Sequence, residues 1–577
     1  EFDKEIIQEG LREILPEYMV PTVWIALDEM PLTTNGKIDR KSLPEPDGLN
    51  LSSTEYVAPR NETEALLVAI WQDLLGVERI GVNDNFFELG GHSLLIVQLI
   101  DRIQKEGYHI EIADVFGNPT IAAIDGKLSS GYTSYQVPPN GIIEGIDRIV
   151  PEMVPLVNFS QEEIDTVVNR VTGGVENVQD MYPLSPLQEG MYFHYLMSDE
   201  NVGDLYVSPN LLLFKDKGQR IKFIEALQFV VNRHDVLRTC FLSKNLPNAV
   251  QVVLKEAVLS NKELKLNSSE DIRSQMESLV ESGNHWMDVS KAPLLDLKYV
   301  DDNEKGEYYL LVNNHHLIID HVGLEKIIEE VNLHLLGHGD ILPPPVLYRD
   351  FIGHTLHQQA TNNSEVYFKD VLGGIDEPTY PFEFSDTLAN LSTIKEDIML
   401  LPETMNSDIR RLSTQLGTSP AILFYAVFGI VVGKCSNKDY AIFGSLFSGR
   451  LQGSLGAADS LGLFINTLPF FTELKGSVSE YVTEVKNRLN ELLSYEQSSL
   501  SNIQSWSGIS NDVPLFSTLL NYRNSSESSS EEELNENLGV TLVGGEGRTN
   551  YPFSVDVDDY GDHFGLIAQI DTRIDGD

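Results

Sequence analysis

The chain has 577 residues, 42% of them hydrophobic, with 41 basic residues against 87 acidic ones and a formal net charge of −46. Such a length exceeds what one hydrophobic core serves, so two to four domains are expected, and the apolar content excludes wholesale disorder. The acidic excess argues against nucleic acid or an anionic membrane as main partner, and the distant Cys240 and Cys435 offer neither a disulfide framework nor a metal site.

No apolar run reaches the length of a membrane span, and the chain opens in acidic amphipathic sequence rather than a signal peptide, which points to an excerpt of a cytoplasmic protein. Glu5 to Leu15 carry apolar residues at helical spacing up to Pro16. Val23 to Leu27 read as a short strand, and Asn35-Gly36-Lys37 as a tight turn that projects one cation. The run Leu15-Pro16-Glu17-Tyr18-Met19-Val20-Pro21 with Asn35-Gly36-Lys37-Ile38-Asp39-Arg40 resembles the C-terminal end of adenylation domains in nonribosomal peptide synthetases. In that family the lysine matching Lys37 contacts the acyl-adenylate. The nucleotide loops of such a domain are missing, so the resemblance makes 1–46 a remnant without activity.

A polar linker from Pro44 to Pro59 precedes an amphipathic helix predicted over Glu62 to Leu75. In the block Asp84-Asn85-Phe86-Phe87-Glu88-Leu89-Gly90-Gly91-His92-Ser93-Leu94-Leu95 the glycines let the backbone turn. Ser93 then falls at the start of an apolar helix, where the positive end of the dipole favours a phosphate. An isolated serine there would be no more than an N-cap. The block resembles the phosphopantetheine attachment motif of peptidyl carrier domains. That resemblance implies a small four-helix bundle over 60–129 with 4'-phosphopantetheine on Ser93, installed by a phosphopantetheinyl transferase.

Ser130 to Gly145 is rich in Gly, Ser, Pro and Asn and is expected to be a flexible connector, and Ser160 with Glu163 suits a capping box for a short helix. Together 130–178 read as a linker with a helical extension. Glu307 to Asn314 is aromatic and β-branched and reads as a buried strand, so His315-His316-Leu317-Ile318-Ile319-Asp320-His321 falls where that strand ends. A histidine there can accept or guide a proton, and an aspartate four residues on can fix the loop through an arginine. The same residues also suit a solvated or core-satisfied loop.

Around this stretch lie Met181-Tyr182-Pro183-Leu184-Ser185-Pro186-Leu187-Gln188-Glu189-Gly190, Arg233-His234-Asp235-Val236-Leu237-Arg238-Thr239, Tyr348-Arg349-Asp350-Phe351, Leu461 to Pro469 and Pro514 to Tyr522. With the histidine loop, these six stretches in this order resemble the signatures of nonribosomal peptide synthetase condensation domains. The resemblance implies a multidomain chain whose residues 179–577 form a two-lobed α/β condensation domain. That domain would be a V-shaped pseudo-dimer resembling chloramphenicol acetyltransferase, with an N-lobe over 179–345 and a C-lobe over 346–577. His316 matches the second histidine of the family's HHxxxDG motif and would receive or steer the amine proton; His315 would be structural. Asp320 is expected to pair with Arg238 in preference to Arg233.

The resemblance also implies partners: an upstream adenylation domain, a downstream acceptor carrier and carrier-bound amino acids or peptides, with the chain itself a monomer. His321 stands where the family has glycine. The opening motif, Ile375 to Thr379 and Asn550 to Phe553 look most like the dual epimerization/condensation branch, whose extra HHxxxxGD motif is matched only by His194 and, further on, Gly203-Asp204. His194 is therefore a candidate for proton transfer at the donor α-carbon. Rival readings are an inert condensation-like docking module and, disfavoured by the linked carrier, a free-standing acetyltransferase using coenzyme A.

Overall fold

The computed structural model describes residues 56–573 apart from 88, 92, 111, 131–134, 199–202, 268, 282–284, 386–393, 451–459, 511–512, 525–538, 546–550 and 562. The adenylation-like stretch lies outside them, as does most of the serine- and glutamate-rich sequence 524–537, which by composition reads as a solvated loop. The chain divides into two compact units, one formed by residues up to Ser134 with Leu400–Phe424 and Gly561–Phe564, the other by Tyr135–Met399, Tyr425–Tyr560 and Gly565 onwards.

Among the described residues, the N-terminal part of the first unit holds four helices: α1 (Glu62–Leu75), α2 (Ser93–Lys105), α3 (Ile112–Gly117) and α4 (Ile121–Asp125). Helix α1 keeps its predicted bounds because both ends are capped. The Asn61 side chain accepts the Glu64 N–H, and Gly76, at φ 67°, donates its N–H to the Gln72 carbonyl. Its buried face puts Trp71 edge-on to Phe86, ring centroids 4.8 Å apart, and both rings are fully enclosed. The two glycines before Ser93 have separate reasons. Gly90 lies at φ 95°, and a Cβ on Gly91 would stand 2.2 Å from the Phe86 ring and 2.5 Å from its carbonyl oxygen. In the turn that delivers Ser93 to the first position of α2, the backbone angle favours glycine at Gly90 and the space at Gly91 excludes anything larger.

The second unit begins with α5 (Gln161–Val168), β1 (Val178–Pro183), α6 (Pro186–Met197), β2 (Val207–Phe214), α7 (Lys217–Arg233), β3 (Thr239–Leu242), β4 (Val250–Leu254) and β5 (Ser260–Glu263). It continues with β6 (Leu295–Asp302), β7 (Glu307–His315), α8 (His321–Leu335) and α9 (Tyr348–Thr361). The later strands are β8 (Ile394–Leu400), β9 (Tyr440–Phe447), β10 (Asn466–Glu473), β11 (Thr518–Asn524), β12 (Val540–Gly545), β13 (Phe553–Asp559) and β14 (Phe564–Asp571). They form a six-stranded sheet in the order β8-β14-β13-β11-β9-β10, a five-stranded sheet in the order β12-β2-β7-β6-β5, and a three-stranded sheet β1-β4-β3.

A cut at 345/346 is not respected by the five-stranded sheet. Strand β12 pairs antiparallel with β2, Val540 opposite Phe214, and so supplies backbone partners to an edge that would otherwise be bare. Helix α7 buries Phe223, Leu227, Val230 and Val231 in the core that also holds Leu310 of β7 and Leu317 to Ile319 of the histidine turn.

The connector is not free after residue 134. The Tyr135 ring stacks on His357 of α9 at 4.0 Å, Arg349 donates to the Pro138 carbonyl at 2.8 and 3.2 Å, and Asn140 donates to the Gln179 carbonyl at 2.7 Å. Composition had signalled only the lack of regular structure, which is not lack of tertiary contact. The predicted capping box at Ser160 and Glu163 is formed, and α5 packs Ile164 and Val167 in one core with Val178, Met181 and Val252. Among the described residues no single helix is long and apolar enough to cross a membrane.

Candidate active site

His315 ends β7, and His316 opens the turn that follows it, so the two central histidines have different surroundings. His315 is fully buried. Its Nδ1 accepts the Leu317 N–H at 3.0 Å, so its proton is on Nε2, which meets the buried Asp204 carboxylate at 3.0 Å. Asp204 also accepts the Tyr206 N–H at 3.0 Å. This aspartate therefore fixes the tautomer and orientation of His315.

His316 opens the 3-10 turn His316–Ile318, and its main-chain N–H donates to the Tyr206 carbonyl at 2.8 Å. Its ring is half-buried. Nδ1 lies 3.3 Å from the Ile319 carbonyl oxygen, which can only accept, so Nδ1 carries the proton and Nε2 keeps its lone pair. The Ser208 hydroxyl lies 3.1 Å from that Nε2. Burial, followed by the neighbouring His315, lowers the His316 pKa from its usual 6.5 and keeps the ring neutral near pH 7. A neutral imidazole with a directed lone pair is what proton abstraction from an amine needs.

Asp320 pairs with Arg450, which corrects the expected pairing with Arg238. Arg450 Nη2 lies 3.0 and 3.1 Å from the two carboxylate oxygens, and both side chains are buried. Asp320 also accepts the Gly323 N–H at 2.8 Å as N-cap of α8 and the Phe464 N–H at 3.2 Å. Arg450 donates to the Ser460 carbonyl and lies 4.0 Å above the Phe464 ring. One carboxylate thus joins the histidine turn to the distant Arg450 and Phe464.

Arg238 is committed elsewhere. It donates to the carbonyls of Val231, Leu254 and Lys255 and to Gln179 Oε1, and those bonds keep it against β4. Arg233 is engaged by Glu330 at 3.0 Å. Arg450 escaped the sequence reading because nothing at Phe447-Ser448-Gly449-Arg450 marks an arginine destined for an aspartate 130 positions earlier. The sole available hint was its place at the end of an apolar strand.

His194, on α6, lies with Nδ1 2.8 Å from the Tyr206 hydroxyl, and burial lowers its pKa, partly opposed by the Asp204 charge. Tyr206 therefore touches both histidines of interest: the ring of His194 through its hydroxyl and the backbone of His316 through its carbonyl. His321 is turned outward, with Nε2 3.3 Å from Glu325 Oε1, and that hydrogen bond raises its pKa. In the described structure it does not share the hydrogen bonds of His316.

The pattern of the Condensation domain matches residues 178–571. The chain belongs to the condensation domain family. A phosphopantetheine attachment site matches residues 65–124, so a carrier domain precedes the condensation domain. The chain is 37% identical over 570 residues to malpibaldin synthetase of Mortierella alpina, covering 98% of this chain and 10% of that protein. It is 28% identical over 540 residues to gramicidin S synthase 2 of Aneurinibacillus migulanus, covering 91% of this chain and 11% of that one. It thus spans about a tenth of the length of these relatives.

The condensation domain fold is shared with the first condensation domain of the calcium-dependent antibiotic synthetase, at a TM-score of 0.54 and 12% identity over 69% of this chain and 93% of that one. It is shared as well with the condensation domain of the monacolin K polyketide synthase, at a TM-score of 0.52 and 15% identity over 69% and 93% of the two chains.

Proposed function

We propose that this chain carries out one step of nonribosomal peptide synthesis, forming an amide between a donor acyl thioester and the amine of an acceptor aminoacyl thioester. The observation that carries the reading is the neutral, half-buried His316 with Nδ1–H held by the Ile319 carbonyl and a basic Nε2, met at 3.1 Å by the Ser208 hydroxyl, to take a proton. Ser93, at the head of α2 behind the Gly90-Gly91 turn, suits attachment of the 4'-phosphopantetheine arm, which when bound supplies the thiol that holds the donor. His316 accepts or steers the amine proton, His315 and Asp320 hold the turn, and orientation of the two substrates supplies much of the remaining acceleration.

In this reading the body is a two-lobed acyltransferase of the chloramphenicol acetyltransferase kind, served by an upstream adenylation domain, an acceptor carrier and a phosphopantetheinyl transferase. The test is amide formation by the loaded chain with an acceptor aminoacyl thioester. His316→Ala should lower the rate by about 10²- to 10⁴-fold. An unchanged yield would leave the condensation domain as an inert docking module.

A second reading, epimerization of the donor residue before condensation, is favoured by His194 at the Tyr206 hydroxyl. In deuterated buffer it requires deuterium at the donor α-carbon, lost in His194→Ala; no incorporation by the native chain removes it.

A further inference from the structure

On the face of the five-stranded sheet that presents His316 stands a second reactive group. Ser208 of β2 is directly opposite Asn314 of β7 in the antiparallel register, and directly opposed residues share a face. His316, two residues beyond Asn314, returns to that face, as its contact with Ser208 records. Since Nδ1 gives its proton to the Ile319 carbonyl, the Ser208 hydroxyl is the donor and Nε2 the acceptor. A hydroxyl donating to an imidazole whose other nitrogen is held by an oxygen acceptor is the arrangement of an activated nucleophile, its base and the group that orients the base. Asn314 completes the set. Its carboxamide oxygen accepts from Asn210 Nδ2 at 2.9 Å, which turns the oxygen toward Asn210 and makes Asn314 Nδ2 a donor on the same face for a developing oxyanion.

We propose that Ser208, His316 and Asn314 give this site a second reaction, hydrolysis of an acyl thioester through a Ser208 ester, which clears the site when no acceptor amine arrives. It rests on the same imidazole as the amide-forming reading but needs no acceptor. Ser208 Oγ attacks the thioester carbonyl and passes its proton to His316 Nε2, with Asn314 Nδ2 donating to the carbonyl oxygen. The C–S bond breaks as the C–O bond is kept, and the departing thiolate takes the proton from Nε2. Water then attacks the ester carbonyl, giving a proton to Nε2. That proton returns to Ser208 Oγ as the carboxylic acid leaves. The sum is thioester plus water to acid plus thiol.

The full chain is treated with a fluorophosphonate, which phosphonylates activated serines with loss of fluoride, and the labelled peptide is identified by mass spectrometry. Label should appear at Ser208 and be lost in His316→Ala. In parallel, acid release from an acyl thioester of N-acetylcysteamine is measured without acceptor, and should fall by about 100-fold in Ser208→Ala. No label at Ser208, label that survives His316→Ala, or release unaffected by Ser208→Ala overturns the proposal. Amide formation by the native chain, run alongside with an acceptor, separates the two readings. Amide without Ser208-dependent release leaves the condensation reading standing alone; Ser208-dependent release without amide does the reverse.

Discussion

The turn that presents Ser93 and the turn that presents His316 are built in opposite ways. The first is assembled within the carrier, from its own neighbourhood and from the Pro119 carbonyl, which accepts the Phe86 N–H at 2.8 Å. Gly91 fits against Phe86 five residues back, and Asp84 accepts the Gly81 N–H at 2.7 Å. The second is held from a distance, by Asp204 on His315, Ser208 on His316, and Arg450 with Phe464 on Asp320. A turn built within one small domain depends on that domain alone. A turn clasped from several parts of the chain depends on the whole unit being folded, and it couples the geometry of the base to segments more than a hundred residues away.

The largest effect expected from this contrast is at the clasp. Asp320→Ala leaves Arg450 buried without its partner, and the condensation domain should lose about 3 to 5 kcal/mol in denaturant unfolding. Phosphopantetheinylation of Ser93 should persist, because nothing in that turn is touched. A loss below about 1 kcal/mol, the range of an exposed pair, would mean that the clasp does not hold the turn.

The converse change is Gly91→Ala, whose methyl would meet the Phe86 ring and carbonyl. Overpacking of this kind costs about 1 to 3 kcal/mol. It should slow modification of Ser93 while the condensation domain still hydrolyses or condenses free thioesters at its native rate. If both activities fall together, the Ser93 turn is not the self-contained device described above.

The smallest effect is in the pH profile of amide formation. The proton taken up by His316 inactivates the base, and burial holds its pKa below 6.5, so the rate should rise with pH through a midpoint lower than 6.5. A midpoint above 6.5 would instead match the outward His321, whose pKa is raised by Glu325.

Much of this was legible in the chain itself. The bounds of α1, the capping box of α5 and the strand ending at His315 all follow from periodicity, caps and turn residues within a window of a few positions. Less of the site could be read. His316 and Asp320 were found by pattern, and Asp320 was given the wrong arginine because Arg238 and Arg450 look alike until their surroundings are known. Asp204 carries no local mark of its bond to His315, and a lone serine in an apolar strand, as Ser208 is, carries no signal.

What the sequence determined by itself, then, is the set of elements and the chemistry they display: a carrier-type serine turn, a histidine pair at a strand end, an acidic polypeptide with room for several cores. Tertiary structure alone decided which histidine is buried against a carboxylate and which keeps a lone pair, which arginine closes on Asp320, that Ser208 faces His316, and that β12 completes a sheet begun three hundred residues earlier. The reason is physical. Helices and turns are fixed by contacts within a few residues, whereas strand pairing and buried ion pairs join residues whose separation along the chain leaves no local trace.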